Sequence, residues 1–395
     1  MDTATDVETL HQGVEKIESV LRENGPVAEK IRRLPDASVN AMREAGLYRM
    51  WTPKALGGLE IDPVSGVDLF EKIARVDAAA GWNLYMSVTP SVFGMWLSDD
   101  GAREVFAGEP MMAGALFPPA SAVPAEGGYR VSGRVPFVSG CHAATWLILA
   151  AVVIEDGEPK RTADGVPVSL LAFVPRADAG IIDNWDTLGM RGTGSHDIAI
   201  TDLFVPEDRA PVFAPFADDP PGSAFQGPLY RMVFWEAAPG LASIALGIAR
   251  AAIEDVVQLA RVKTPAYTGT PLRERPAAQS QIAQAEGHRA AAWAYLRETL
   301  AAAYATTCET GRVLTTDQRR DIQLAACHAV QAAATAVRLV HEVAGSSAIR
   351  NSQPFAAHFR NVHTVTQHAF TSASRYESVG QLMLGLPPEW PFFAF

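Results

Sequence analysis

The stretch RNVHTVTQHAF, residues 360–370, places two histidines, His363 and His368, near the end of a chain of 395 residues. Histidine pairs are common metal ligands, but a helical zinc pair is spaced i, i+4 so that both rings share one face. Here the spacing is five, which at about 100° per residue separates the two side chains by roughly 140° around a helix. The pattern therefore predicts that only one of them faces a site, and it does not predict a metal centre.

The composition is that of a globular protein, with 48% hydrophobic and 19% charged residues, and the length allows a substantial core. The net charge is -11 and there is no block of basic residues, so we expect no binding to nucleic acid. The three cysteines, Cys141, Cys308 and Cys327, are far apart and form no CxxC pair, which argues against a disulfide scaffold or a cysteine-rich zinc site.

The N-terminus is acidic and polar, whereas a signal peptide needs a basic start and an apolar run. The two most apolar stretches, residues 143–154 and 237–249, are shorter than the roughly 20 residues that span a bilayer. We expect a cytoplasmic protein without membrane contact.

Three zones with different periodicity follow one another along the chain, without an internal repeat. In residues 1–111 apolar side chains recur at three and four, which predicts helices, with a break at Gly25-Pro26. Residues 112–226 hold short β-rich runs between Gly, Pro and Asp clusters, which predict an antiparallel sheet. Residues 227–395 carry four long amphipathic patterns, over 238–262, 277–307, 316–344 and 357–383. The predicted class is α+β, with an N-terminal helical domain, a central antiparallel β-domain and a C-terminal four-helix bundle.

This order of zones resembles the acyl-CoA dehydrogenases, and three stretches carry the resemblance. LGMRGTGSHDIAITDLFVP (188–206) is similar to the turn and closing strand of that family's central domain. GRVPFVSGCHAATWLILA resembles the strand-turn-strand that packs against the flavin ring. EVAGSSAIRNSQPFAAHFRNVH resembles a Q-x-x-G-G segment that leads to a proline and an R-D pair, with Glu342, Gly345 and Ser346 at the Q, G and G positions. The resemblance covers essentially the whole chain.

The same alignment shows that the dehydrogenase base is missing. Medium-chain-type members carry a catalytic glutamate nine residues after the arginine, where this chain has Ala369, and others carry it on an earlier helix, where this chain has Ala237. A methyl group cannot accept a proton. Glu236 is adjacent to Ala237 but about 100° around the helix, so dehydrogenase chemistry would require Glu236 to act as a displaced base.

His368, one residue before the vacant position, instead resembles a histidine of the two-component flavin-dependent monooxygenases that share this fold. Ser139, in FVSG, matches their serine near flavin N5. The resemblance implies that reduced flavin and O2 form a C4a-(hydro)peroxide in a water-excluding site. It also implies that Ser139 holds N5 through its hydroxyl or backbone N–H, and that His368, with an ordinary pKa of about 6.5, takes a proton from the substrate. Several of these enzymes have a further histidine where this chain has residues 89–91, so we expect the substrate or protonation scheme to differ.

The resemblance implies further contacts to flavin from Phe117, Phe137, Val138, Ser139, Trp185, Arg261, Glu342, Gly345 and Ser346. Arg261 and Lys263 are explained almost equally well as a solvated helix end. Bulky apolar side chains that would suit a flat aromatic ring in a substrate pocket are Trp82, Phe117, Met190 and Trp235, although the same residues are equally typical of an ordinary core. The stretch GMRGTGS (189–195) lacks a GK[ST] end and is predicted to be a structural turn.

We therefore expect a reduced-flavin-dependent monooxygenase that hydroxylates an aromatic or indole-type molecule, using O2 and FADH2, with FMNH2 as the alternative flavin. The alternatives are an N-oxidising enzyme of the amino-sugar nitrososynthase type, a dehydrogenase that uses Glu236, and a non-catalytic helical oligomer. No dinucleotide fingerprint is present, so a separate NAD(P)H-flavin reductase is expected. The resemblance implies that residues 342–346 reach a neighbour's flavin, so a homotetramer, or at least a dimer, is expected. His363 is expected to make a structural hydrogen bond.

Overall fold

The computed structural model describes residues 3–213 and 222–394. Its N-terminal part is helical, with α1 (Thr3–Ile31), α2 (Asp36–Glu44), α3 (Pro63–Val76), α4 (Ala78–Val88) and α5 (Asp99–Val105). The expected break at Gly25-Pro26 is wrong, because α1 continues through it. The buried stripe of Leu10, Val14 and Leu21 extends past Pro26 to Ala28, and packing of this apolar face compensates for the one backbone donor that proline removes.

The central part contains seven strands: β1 (Met112–Ala125), β2 (Gly128–Val138), β3 (Trp146–Glu155), β4 (Glu158–Pro159), β5 (Ser169–Pro175), β6 (Gly180–Ile182) and β7 (His196–Pro206). They form one sheet in the order β4-β3-β1-β2-β7-β6, with β5 also paired to β3. The expectation of a purely antiparallel sheet is wrong for one pair, since β1 and β3 are parallel. After the β1–β2 hairpin, the chain crosses to the free edge of β1 and runs in the direction of β1, so the sheet is mixed.

The C-terminal part holds α6 (Ala237–Val262), α7 (Pro276–Thr310), α8 (Thr316–Ala344), α9 (Phe355–Val365) and α10 (Arg375–Met383). The first three correspond to predicted helices. A single fourth helix over 357–383 is wrong, because the chain leaves the helix after Val365. The backbone N–H groups of Gln367 and His368 donate to the carbonyls three residues earlier, those of Thr364 and Val365, instead of four. The Thr366 hydroxyl donates to the His363 carbonyl at 2.7 Å. Together these bonds end the regular α-helical hydrogen-bond pattern.

Two close backbone approaches fix how these parts meet. Gly247 of α6 lies where a Cβ would be 2.6 Å from the Glu71 carbonyl oxygen of α3, and Gly189 lies where a Cβ would be 2.3 Å from the Arg360 carbonyl oxygen of α9. Only glycine permits such contacts. They bring α3 against α6, and the loop before β7 against α9. Within the described residues, no helix has both the length and the apolar character that a membrane crossing requires.

Candidate active site

Three residues that are far apart in the sequence meet where the three parts of the fold join. Trp82 comes from α4, Ser139 from the turn after β2, and His368 from the turn after α9. The Trp82 indole N–H donates to Ser139 Oγ at 2.9 Å. The indole also contacts the His368 ring edge-on, with centroids 5.6 Å apart. The structure thus brings together the two predicted catalytic residues through one predicted pocket residue.

A chain of hydroxyl groups continues from Ser139 into the protein. Thr193 Oγ1 donates to the Met190 carbonyl at 2.8 Å, so its only proton is committed and it can only accept from Ser195, 2.7 Å away. Ser195 must then accept from Ser139, also at 2.7 Å. Each hydroxyl has one proton, and the direction of the whole chain is therefore fixed. The Ser139 hydroxyl accepts a hydrogen bond from Trp82, donates one to Ser195, and keeps one free lone pair.

Ser195 and Thr193 are functional candidates that the sequence reasoning missed, because it treated residues 189–195 as a structural turn only. The signal was present as two hydroxyl residues among glycines. The Ser139 backbone N–H, offered by the sequence as an alternative flavin partner, already donates to the Phe137 carbonyl at 3.0 Å. The hydroxyl is therefore the group of Ser139 that remains open to a ligand.

His368 lies in an environment that keeps its ring neutral. Desolvation lowers the pKa of His368 to about 4, well below the ordinary value near 6.5 that the sequence reasoning used. Its Nδ1 accepts a hydrogen bond from the Phe370 backbone N–H at 3.3 Å, so the proton of the neutral ring is on Nε2. At neutral pH His368 therefore presents an N–H donor at Nε2 rather than a free basic nitrogen.

His363 has a different environment, on α9. Its ring packs on Phe359 with centroids 4.3 Å apart, and burial lowers its pKa. The expected structural hydrogen bond is absent at Nε2, which is buried and has no partner among the described residues. The helix-face reasoning that separated the two histidines was wrong, since His368 is not on the helix, but the structure does place them in separate surroundings.

Two of the predicted flavin residues are phenylalanines whose side chains are exposed at one end of the sheet. Phe117 is 82% exposed and Phe137 is 69% exposed. They flank the same open end of the β1–β2 pair, whose regular pairing covers residues 121–125 and 128–132. Trp185 contacts Phe137 edge-on at 6.1 Å. Exposed rings of this size, with Phe137 two residues before Ser139 in the chain, fit the flat apolar ring system of a flavin.

Val138 cannot contribute its side chain in the same way. It is completely buried in the core of the sheet, because alternate residues of β2 point to opposite faces. Only its backbone could lie against a flavin.

The remaining predicted flavin residues lie at the far end of the bundle. Arg261 is exposed and bonds to Gln258 at 3.1 Å, while the Lys263 ammonium donates to the Ala344 carbonyl at 2.6 Å and so caps α8. Glu342, Gly345 and Ser346 follow at that same end.

Gln323, which bonds to Phe370 beside His368, precedes Glu342 by 19 residues of α8, or about 28 Å at 1.5 Å per residue. The structure therefore does not bring Glu342, Gly345 and Ser346 to the Ser139 and His368 site of the same chain.

The structure places the other two predicted pocket residues in different surroundings. Met190 is buried with φ 53°, and its backbone ties the loop together, with its N–H donating to Asn361 Oδ1 at 2.7 Å and its carbonyl accepting from the Trp185 indole at 3.1 Å. Trp235 lines a separate cavity, together with residues that the sequence reasoning did not select: Phe234, Ala238, Gln323, Phe370, Trp390 and Phe392.

Glu236 is fully buried, and neither carboxyl oxygen has a partner of good hydrogen-bond geometry among the described residues. Burial raises the pKa of Glu236 to about 8, and its own backbone N–H offsets only part of that effect. The carboxyl is protonated at pH 7 and is therefore poorly suited to remove a substrate proton. This opposes the displaced-base alternative.

Comparisons with family models and with individual proteins point to the same family. Family models for the N-terminal and C-terminal domains of acyl-CoA dehydrogenase match residues 9–105 and 240–373. Indole-3-acetate monooxygenase of Pseudomonas putida is 31% identical over 365 residues, which cover 91% of this chain and 90% of that protein. The oxygenase subunit HsaA of a flavin-dependent monooxygenase of Rhodococcus jostii (strain RHA1) is 30% identical over 396 residues, covering 95% and 98%.

Among solved structures, XiaF from Streptomyces sp., in complex with FADH2 and glycerol, superimposes with a TM-score of 0.86 at 26% identity, covering 98% of each chain. Fold and site together define a flavin-dependent oxidoreductase with the acyl-CoA dehydrogenase architecture. Within that class, the chain belongs to the two-component flavin-dependent monooxygenases.

Proposed function

We propose that this protein is the oxygenase component of a two-component system that hydroxylates an aromatic or indole-type ring with FADH2 and O2. The observation that carries the proposal is the meeting of Trp82, Ser139 and His368, with a lone pair of Ser139 left open. When bound, reduced flavin supplies the electrons that activate O2. FADH2 is favoured over FMNH2 because the similar XiaF structure contains FADH2.

We assign Phe117, Phe137 and Trp185 to the face that holds the flavin ring, with the backbone of Val138 beside them. The direction of the hydroxyl chain determines which redox form of the flavin Ser139 favours. Reduced flavin carries a hydrogen on N5, whereas oxidised flavin has a bare nitrogen there. Because Ser139 offers a lone pair and not a proton, it favours the reduced form.

His368 is assigned as the catalytic residue of this site. Trp82 and Phe370 both contact its ring, with centroids 5.6 and 5.7 Å away, and these rings help to exclude water. Through Nε2–H the neutral imidazole donates a hydrogen bond to the reacting oxygen or to the substrate. Acting as a base at Nε2 would require the proton to move to Nδ1, at the expense of the bond from Phe370 N.

Two substitutions at one position separate these roles. His368→Ala should lower product formation by roughly 10²–10⁴-fold, with the oxygen released as hydrogen peroxide and flavin binding largely retained. His368→Gln can place an amide N–H close to the former Nε2–H, so a donor role predicts clearly more product than with alanine. Equal losses would identify a base, and a fully coupled His368→Ala enzyme would overturn the assignment.

The reaction class is tested with enzyme, reduced flavin and O2 against a panel of phenols, indoles and amino sugars. Products hydroxylated on a ring support the proposal, and nitroso products from amino sugars would establish the N-oxidising alternative. A thioester that reduces the oxidised flavin would point to a dehydrogenase.

We further propose that a separate NAD(P)H-flavin reductase supplies the reduced flavin. The relative HsaA is named as an oxygenase subunit, which supports this division of labour. Turnover with NADH and free flavin alone, at the rate obtained with added reductase, would refute it.

We also propose a homotetramer in which Arg261, Glu342, Gly345 and Ser346 approach the flavin of a neighbouring subunit. The separation of about 28 Å along α8 between Gln323 and Glu342 supports this arrangement, because it places Glu342, Gly345 and Ser346 far from the Ser139 and His368 site of their own chain. The cytoplasmic location remains a prediction from the sequence.

A further inference from the structure

Gln323 is a buried side chain of α8 with one unused acceptor. It is 0% exposed, and its Nε2 donates to the Phe370 carbonyl at 2.6 Å and to Cys327 Sγ at 3.1 Å. A carbonyl oxygen can only accept, so the first bond fixes which way the amide points. Oε1 is therefore the acceptor that remains, and it has no partner among the described residues. A buried acceptor left unpaired costs free energy, which indicates that a ligand satisfies it.

The space beside Gln323 is lined by aromatic rings. The lining rings are those of Phe234, Trp235, Phe370, Trp390 and Phe392. A tryptophan side chain can donate but not accept, so among the described residues that line this cavity Gln323 alone supplies a side-chain acceptor. The Phe370 ring separates the cavity from His368, on which it stacks at 5.7 Å with an interplanar angle of 26°.

We propose that this aromatic cavity is a subsite for the substrate ring, and that Gln323 Oε1 accepts a hydrogen bond from an N–H or O–H borne by that ring. The proposal rests on the proposed function and narrows its substrate class to flat aromatic molecules with a ring-borne donor, of the indole or phenol type. An amino sugar fits poorly, because five rings and one neutral acceptor leave most of its hydroxyl groups unpaired.

Entry of a ring requires one aromatic side chain to move. Phe234, Phe370 and Phe392 pack at centroid distances of 5.3, 4.8 and 6.1 Å and fill most of the space. Phe392 is half-buried and belongs to the short helical turn Pro391–Ala394 at the end of the described chain. Phe370 is held by its carbonyl to Gln323 and by its N–H to His368, so we assign Phe392 as the ring that a ligand displaces.

The test compares ligand pairs that differ only in the donor, namely indole with N-methylindole and phenol with anisole. Dissociation constants are measured without O2, with and without reduced flavin, by calorimetry or tryptophan quenching. In the wild-type protein the donor-bearing ligand of at least one pair should bind roughly five- to tenfold more tightly. In Gln323→Met this ratio should fall to about one. The two pairs distinguish an indole N–H from a phenol O–H.

Three further variants keep the result interpretable. Phe392→Ala opens the cavity and should preserve the ratio, as should Cys327→Ala, which removes only the second partner of Nε2. Gln323→Glu, protonated in this surrounding, retains an acceptor and should keep the preference even if the methionine variant does not fold. The inference is overturned if neither wild-type pair shows a preference, or if the preference survives in Gln323→Met. Oxygenation is assayed separately, so a ligand that binds with this preference but is not oxygenated counts against the proposed function and not against the subsite.

Discussion

Glu236, which immediately precedes α6, provides a direct test of how burial controls the protonation of a side chain. Its pKa is raised from the ordinary 4.5 to about 8, so between these pH values the folded protein binds a proton that the unfolded chain has released. Stability therefore declines as pH rises through this window. Compared with a pH below 4.5, the free energy of unfolding at pH 7 is lower by about 3 kcal/mol, since each pH unit between 4.5 and 7 corresponds to about 1.4 kcal/mol.

Glu236→Gln removes the titration while keeping the shape of the side chain. The buried amide has a cost of its own, but that cost is independent of pH. We therefore expect the stability difference, variant minus wild type, to increase by roughly 2–3 kcal/mol between pH 5 and pH 7. For a chain of 395 residues this corresponds to roughly 2–4 °C in the unfolding midpoint.

The measurement is a series of thermal unfolding curves at pH 5, 6, 7 and 8 for both proteins. Glu298→Gln, at an exposed position of α7, serves as the matched control and should show no such trend. A difference for Glu236→Gln that does not change with pH would refute the reasoning. Oxygenation should be retained, because a protonated carboxyl is not the base; its loss together with loss of thioester-driven flavin reduction would restore the displaced-base alternative.

Three more predictions concern the site and its assembly. Ser195→Ala frees the Ser139 proton to point outward and should weaken reduced-flavin binding about fivefold, through loss of roughly 1 kcal/mol, in anaerobic titrations; Thr193→Ser keeps its hydroxyl and should bind normally. His363→Ala should lower stability or flavin affinity with little change in hydrogen peroxide yield, so an uncoupled His363→Ala enzyme would reverse the assignment of the two histidines. Light scattering should report a tetramer, and a monomer with full flavin affinity would exclude a contribution from neighbouring subunits.

The sequence by itself determined features that depend on neighbours along the chain. The helical and strand periods marked the change at Met112, where β1 begins, and the extent of α8 at Thr316–Ala344. The Thr315 and Gln318 side chains that start α8 form a capping box, which is a local signal. The sequence and its family resemblance were also enough to show that the dehydrogenase base is missing, because alanine stands at both positions where that family carries it.

Tertiary structure decided the properties that depend on groups from distant segments. The pattern of residues 357–383 suited one helix, and only the hydroxyl and i to i+3 bonds after Val365 turned His368 out of it. Its pKa of about 4 follows from desolvation by the assembled fold. The proton direction at Ser139 follows from Thr193 and Ser195, more than 50 residues later. The open acceptor of Gln323 follows from a bond to Phe370, 47 residues away. Burial and hydrogen-bond direction are set by which segments meet in space, and local periodicity carries no information about that meeting.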